Sequence, residues 1–326
     1  MSGKNIGWLK AALVFSLLLM VGCAPEARQA PRVALELAPQ DTTTYRLLIE
    51  AQQSVDWEGP LPEDRTFKGG KNHNRVEMTF TQQIQDVNEN GSVVAKITVD
   101  SLKYYSMVKD NIVLDFDSSS PKDPNYPLAL LVGHGYTIEI VPTGEVTRVI
   151  EAQEARTAVS RGSVVPRRAL TLLRDDAIIE RHSNPALSVS RRSTLKTGDN
   201  WSGIKSFSFG VLGSKSYEKI YTVRKIKEHD KQHVATVEMN GIPTSEMAEQ
   251  LHKEQQTADF SKMFDSTGTY TGQLDLNLTT GKVDKCLEEL QAEWVVIDPQ
   301  ARQQGDKEPA TLKMAATRLY SLEKID

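Results

Sequence analysis

Disulfide chemistry is nearly absent from this sequence, whose 326 residues hold two cysteines, Cys23 and Cys286. A scaffold stapled by several disulfides is excluded, and the core has to be built from apolar burial. Aromatic residues make up only 6% of the chain and are scattered, so Trp201 and Trp294 read as core anchors rather than ligand stackers. Positive charge is not in excess: the formal net charge is −4, which argues against a nucleic-acid partner. No apolar run reaches the ~20 residues that a membrane-spanning helix needs. Catalytic signatures are also missing. There is no G-x-S-x-G elbow, and Ser118-Ser119-Ser120 sits in a turn bounded by proline. Gly210 to Gly213 lacks the Lys-Ser/Thr of a phosphate loop. Nothing in the chain calls for a cofactor, and no catalytic or metal-ligating set is assigned.

What is present begins near the N-terminus. Ala11 to Gly22 carries no charge, follows Lys4 and Lys10, and stops at Cys23-Ala24-Pro25. A basic start and an apolar stretch of about 7–15 residues describe an export signal. Met20-Val21-Gly22-Cys23 resembles the lipobox of bacterial lipoproteins, with Met20 where Leu is commoner. That resemblance implies a diacylglycerol on Cys23, cleavage before it, acylation of the new amino group, and a membrane held through several chains. It also implies the bacterial cell envelope as the location. Ala24, in place of Asp after the cysteine, points to the outer membrane facing the periplasm. The alternative is a secreted protein cut beside Gly22 or Ala24 with Cys23 unmodified. Loss of Lys4 and Lys10 with the leader takes the formal charge from −4 to about −6. With Cys23 lipidated, Cys286 has no intrachain partner and reads as a small buried apolar residue.

The remaining chain divides by pattern. Residues 1–22 form the signal peptide, and 23–44, with Pro25, Pro31 and Pro39, a tether. A first β unit spans 45–183, a linker 184–200, and a second β unit 201–326. Tyr45 to Ile49 opens the first strand, Trp57 to Asn74 reads as a loop, and Val76 to Val87 and Val93 to Leu102 alternate around Asn90-Gly91 as a hairpin. Strand character follows at Asn111–Asp117, Tyr136–Pro142 and Glu145–Ile150. Glu151–Arg161 and Pro166–Arg181 are helical, and Ala169, Leu172, Leu173, Ala177 and Ile178 fall on one stripe. Tyr217–Val223, His233–Met239, Thr269–Leu278, Val283–Ile297 and Thr311–Tyr320 are strands. The fold class expected is α+β and β-rich, a curved antiparallel sheet with one or two helices covering a face.

Thr143-Gly144-Glu145-Val146 and Thr280-Gly281-Lys282-Val283 are alike, and each lies downstream of a hairpin, Gln85–Val99 in one half and Lys225–Val237 in the other. A duplicated β unit is the economical explanation. The Asn-Gly hairpin, Gly135-Tyr136-Thr137-Ile138 with Thr143-Gly144-Glu145-Val146, Gly198-Asp199-Asn200-Trp201 and the late Gly-Lys-Val turn resemble a large family of uncharacterised domains in bacterial lipoproteins and secreted proteins. The resemblance implies compartment and architecture and carries no catalytic residues.

Several polar clusters carry only part of a functional motif. His229-Asp230-Lys231-Gln232-His233 has the spacing of a zinc-protease motif with Asp for Glu, but it leads into an alternating strand, so no helix orients the pair. His134, between two glycines, reads as part of a turn. Asp115, Asp117 and Asp123 lack the glycine and closing Glu of a calcium loop. The basic run Arg161 to Arg192 is interleaved with Asp175, Asp176 and Glu180 and reads as a solvated helical face rather than an anion site. The leading expectation is therefore a non-enzymatic, lipid-anchored protein presenting a binding or scaffold surface to an envelope partner. A carrier of lipid or another apolar ligand in a curved-sheet cavity is the second, and an enzyme of unidentified class the third.

Overall fold

The computed structural model describes residues 38–59, 69–183, 194–229, 231–244, 265–297 and 310–325. The leader, Cys23 and most of the tether, and residues 184–193 of the linker, lie outside them. Among the described residues no helix is long and apolar enough to cross a membrane.

One antiparallel sheet of twelve strands dominates. Its first half contains β1 (Thr42–Glu58), β2 (Gly70–Val87), β3 (Val93–Val108), β4 (Asn111–Asp117), β5 (Gly135–Ile140) and β6 (Val146–Glu151). Three helices follow, α1 (Gln153–Ser160), α2 (Arg167–Leu172) and α3 (Asp175–His182). The second half contains β7 (Asn200–Ser208), β8 (Ser214–His229), β9 (Gln232–Thr244), β10 (Asp265–Asn277), β11 (Val283–Ile297) and β12 (Thr311–Lys324). The order across the sheet is β6-β5-β3-β2-β1-β12-β11-β10-β9-β8-β7, with β4 pairing only the distal part of β3.

The strands β1-β2-β3-β5-β6 and β7-β8-β9-β10-β11 are thus two meanders of the same order. The Thr-Gly turns occupy equivalent places, between β5 and β6 and between β10 and β11, and Gly144 (φ 83°) and Gly281 (φ 69°) supply the left-handed conformation that a side chain disfavours. β12 joins the halves by pairing β1 on one side and β11 on the other.

Alternation explains why one face of this sheet is the core. A single register line runs Leu102, Met78, Leu47, Leu322, Cys286, Leu274, Val237, Val223 across eight strands without a polar member. All are buried except the partly buried Leu322. Each such aliphatic side chain contributes roughly 1.5–3 kcal/mol when it leaves water. Sheet curvature encloses this face. Lys205 on the edge strand β7 reaches Glu180 on α3 at 2.9 Å, and α3 packs on β6, the opposite edge. The helices bury Ala155, Val159, Ala169, Leu173 and Ile178 against the first half. Aromatic rings fill the second: Phe207 stands edge-on to Tyr270 at 5.2 Å, Phe209 meets Trp294 at 4.8 Å, and Trp201 stacks on Tyr221 at 5.3 Å.

Three expectations need correction. Gly70–Asn74 and Trp57–Glu58 belong to strands, not to a loop, because the ladder between β1 and β2 runs on through Ala51↔Asn74 to Val55↔Gly70, and that between β1 and β12 reaches Trp57↔Leu312 and Glu58↔Thr311. The expected helix Pro166–Arg181 breaks after Leu172. Arg174 is extended there (ψ 145°), Arg156 of α1 donates to the freed Leu173 carbonyl (2.7 Å), and α3 restarts with Asp175 and Asp176 in its first turn, where the helix dipole favours acid. β7 was not anticipated; exposed and partly buried residues alternate from Asn200 to Lys205 and none of its residues is fully buried, as befits an edge strand.

Candidate functional site

Among the described residues, a buried lysine and a buried arginine each gather a polar cluster on the apolar face, and both clusters contain residues that sequence spacing left unassigned. The first lies in the second half. Lys219 on β8 is 4% exposed and its Nζ sits 2.7 Å from Glu288 on β11. Tyr221 donates to the same carboxylate at 3.3 Å, and Tyr270 donates to its other oxygen. The Lys219 ammonium also lies over the rings of Tyr221 (5.2 Å) and Tyr270 (5.8 Å). Gly203 and Gly241 are the register neighbours of Lys219, and the missing side chain of Gly241 leaves room for the Tyr270 ring, which a Cβ there would approach to 2.8 Å. Burial alone would raise the Glu288 pKa, but the Lys219 charge and the hydrogen bonds from Lys219 and Tyr270 outweigh it and hold the carboxyl below its ordinary value. Cys286, the next inward-facing residue on β11, is buried, and burial followed by the Glu288 charge pushes its thiol far above the ordinary range. It stays protonated and has none of the activation that a nucleophile requires.

The second cluster surrounds the C-terminus of α3. Arg181 is 4% exposed. Its Nη1 donates to the Tyr136 hydroxyl (3.0 Å) and its Nη2 to the Leu172 carbonyl (2.6 Å). The Tyr136 hydroxyl is 2.7 Å from His182 Nε2. Arginine can only donate, so the Tyr136 oxygen accepts from Arg181 and passes its own proton toward the imidazole. The imidazole is neutral, because burial and then the Arg181 charge hold His182 well below its ordinary pKa. Phe80 meets the His182 ring edge-on at 4.8 Å. Tyr320 links the clusters: its hydroxyl donates to the Arg181 carbonyl (3.3 Å), and on β12 it is the register partner of Glu288.

Beside Arg181 the concave face is hollow. A cavity of about 150 Å³ lies between the two Thr-Gly turns, with Pro142 and Gly144 on one side and Gly281, Lys282 and Val283 on the other. Tyr45, Phe80, Val93, Tyr320 and Leu322 form its apolar wall, and Arg181 and His182 a polar one. Lys282 is engaged with the start of β1, donating to Thr43 Oγ1 at 2.9 Å with Asp41 Oδ2 at 3.9 Å.

The residues singled out from sequence fall elsewhere. Cys23 lies outside the described residues. His229 and His233 flank the tight turn between β8 and β9, on strands, and the intervening Asp230 is outside the described residues. The carboxylates considered for calcium are used separately: Asp117 takes the amide and hydroxyl of Ser119, which with Lys103 lower its pKa to about 2, and Asp123 takes the Asn125 amide and the Ser163 hydroxyl. Ser118 accepts the Leu102 amide through its hydroxyl. Trp294 is buried and Trp201 partly buried, both against other rings. The solvated-face reading of the basic run fits Arg174, which is two-thirds exposed with its partner Asp176. It fails for Arg181, which α3 turns into the core. The overlooked signal was helical spacing, since Arg181 lies three residues after Ile178 on the apolar stripe.

No protein-family model matches the chain, and no curated protein matches it. Among solved structures, one of lipid–protein interactions in lipovitellin superposes with a TM-score of 0.41 at 10% identity, covering 89% of this chain and 26% of that one. The chain therefore spans about a quarter of the length of that structure.

Proposed function

We propose that this protein is a binding protein for one single-chain apolar ligand, held in the cavity between the two Thr-Gly turns, and that it works at the bacterial envelope, anchored by lipid on Cys23. The observation that carries the ligand reading is the cavity itself. It has a volume of about 150 Å³ and an aromatic and aliphatic wall. A wall of this composition favours an apolar group over water. The volume matches one ring or a short chain segment and lies below the ~300 Å³ at which sites for drug-sized ligands begin. The cavity is partly open, so one segment of a larger ligand enters it and the rest extends toward solvent.

The test is fluorescence titration of the Cys23→Ser protein, free of detergent, with the neutral probe N-phenyl-1-naphthylamine. Saturable binding of one probe per protein is expected. Leu322→Trp, which fills the wall between β1 and β11, is expected to weaken it at least tenfold while leaving the unfolding midpoint within a few degrees. Absence of saturable binding in the unsubstituted pocket overturns the reading.

The anchor has its own prediction. Wild-type protein takes up labelled palmitate and sediments with envelopes, and Cys23→Ser loses both properties. A variant that still sediments, beside a wild type that takes up no label, ends the lipoprotein reading.

A further inference from the structure

The cavity wall has an unbalanced charge. Arg181 is 4% exposed, and among the described residues no carboxylate lies within ion-pair distance of it. A guanidinium offers five N–H donors. Among the described residues, two of those on Arg181 find an acceptor, the Tyr136 hydroxyl and the Leu172 carbonyl. His182 beside it is neutral, and Lys282 across the cavity already has Thr43 and Asp41. No Asp or Glu contributes to the described wall. A buried, permanently charged side chain is costly unless its charge is met and its donors are satisfied. The nearest described acid on the same helix, Glu180, is turned away to Lys205 on the edge strand.

Resting on the binding reading above, we propose that the ligand is an acidic amphiphile, whose oxyanion head docks on the Arg181 guanidinium and whose chain lies along Tyr45, Phe80 and Leu322. The fork of an arginine matches a carboxylate or a phosphate with two parallel hydrogen bonds, and a desolvated setting strengthens them. The Tyr136–His182 pair behind the guanidinium holds it in place: Tyr136 accepts from Arg181 and donates to His182, so neither group competes with the ligand for negative charge. The polar end of the cavity thus recognises the head, and its aromatic wall recognises the chain.

Displacement of N-phenyl-1-naphthylamine by four twelve-carbon amphiphiles tests this: dodecanoate, dodecyl phosphate, dodecanol and dodecyltrimethylammonium. Below their micellar concentrations, one or both anions are expected to displace the probe at about tenfold lower concentration than dodecanol or more, with the cation weakest. Dodecanoate ahead of the phosphate identifies a fatty-acid head, and the reverse order a phosphate head. Arg181→Met is expected to abolish the gap between anion and alcohol while the probe itself still binds within about threefold. The comparison in unsubstituted protein stands even if that variant does not fold. Equal displacement by dodecanoate, dodecyl phosphate and dodecanol, or a gap that survives in folded Arg181→Met, overturns the proposal and leaves the apolar-ligand reading intact. Failure of the probe to bind at all removes both.

Discussion

Glu288→Ala lowers the unfolding free energy by about 3–5 kcal/mol, because it strands the Lys219 ammonium inside the sheet. Lys219 is 4% exposed, and Glu288 is the carboxylate within its reach. The ion pair itself is not the source of that figure. Desolvation of two charges consumes most of their attraction, so replacing both by apolar residues of similar size, Lys219→Met with Glu288→Leu, is expected to cost less than Glu288→Ala alone, what remains coming from the Tyr221 and Tyr270 hydroxyls left without their acceptor. Urea unfolding followed by the fluorescence of Trp201, which stacks on Tyr221, reads both variants. A Glu288→Ala loss below 1 kcal/mol would contradict a desolvated pair. Acid adds a second signature. The folded-state pKa of Glu288 is lowered, so as pH falls through the ordinary glutamate range the unfolded chain binds the proton first. Stability from this group is therefore full above that range and drains away below it, and the double variant loses that part of the acid sensitivity.

Gly135→Ala has the second large effect, on the order of 2–4 kcal/mol. Gly135 lies where β3 leaves its pairing with β5 and continues alongside β4. A Cβ built there would sit 2.0 Å from the Ile97 carbonyl oxygen and 3.2 Å from Thr98 Cα, both main chain and unable to swing aside. The crossing is tied locally, with Gly133 donating to the Val99 carbonyl (2.8 Å) and Val99 to the His134 carbonyl (3.0 Å), so β5 has to peel from β3 to admit the methyl. Displacement of β5 also moves Tyr136, and the variant is expected to weaken probe binding in the cavity. Gly203→Ala is the control. It is likewise a strand glycine, but nothing lies within 4 Å of its built Cβ. That change is expected to be neutral or to stabilise by about 0.5 kcal/mol through the unfolded chain. Equal losses at the two glycines would refute the close-approach argument.

Legibility in the sequence followed the strength of the local signal. Val76–Val87 and Val93–Leu102 alternate around Asn90-Gly91, and β2 and β3 form that hairpin, with the Gly91 amide donating to Asn88 (2.9 Å). Val283–Ile297 coincides with β11. Thr-Gly pairs marked both turns that border the cavity. β7 escaped because a serine- and glycine-containing edge strand with one loosely covered face carries little alternation. The break between α2 and α3 escaped because Leu173 and Arg174 are good helix formers, and what interrupts them is Arg156 arriving from another helix.

Period-two alternation by itself determined that this chain makes long antiparallel strands with one apolar face, since each residue type reports locally which side of a strand it occupies. It left Lys219 and Glu288 unassigned, because they are 69 residues apart and only the register through β9 and β10 brings them together. The cavity and the burial of Arg181 belong to tertiary structure alone. They arise from the curl that carries α3 between the two sheet edges, and curl is the sum of small twists over twelve strands that no local stretch of sequence records.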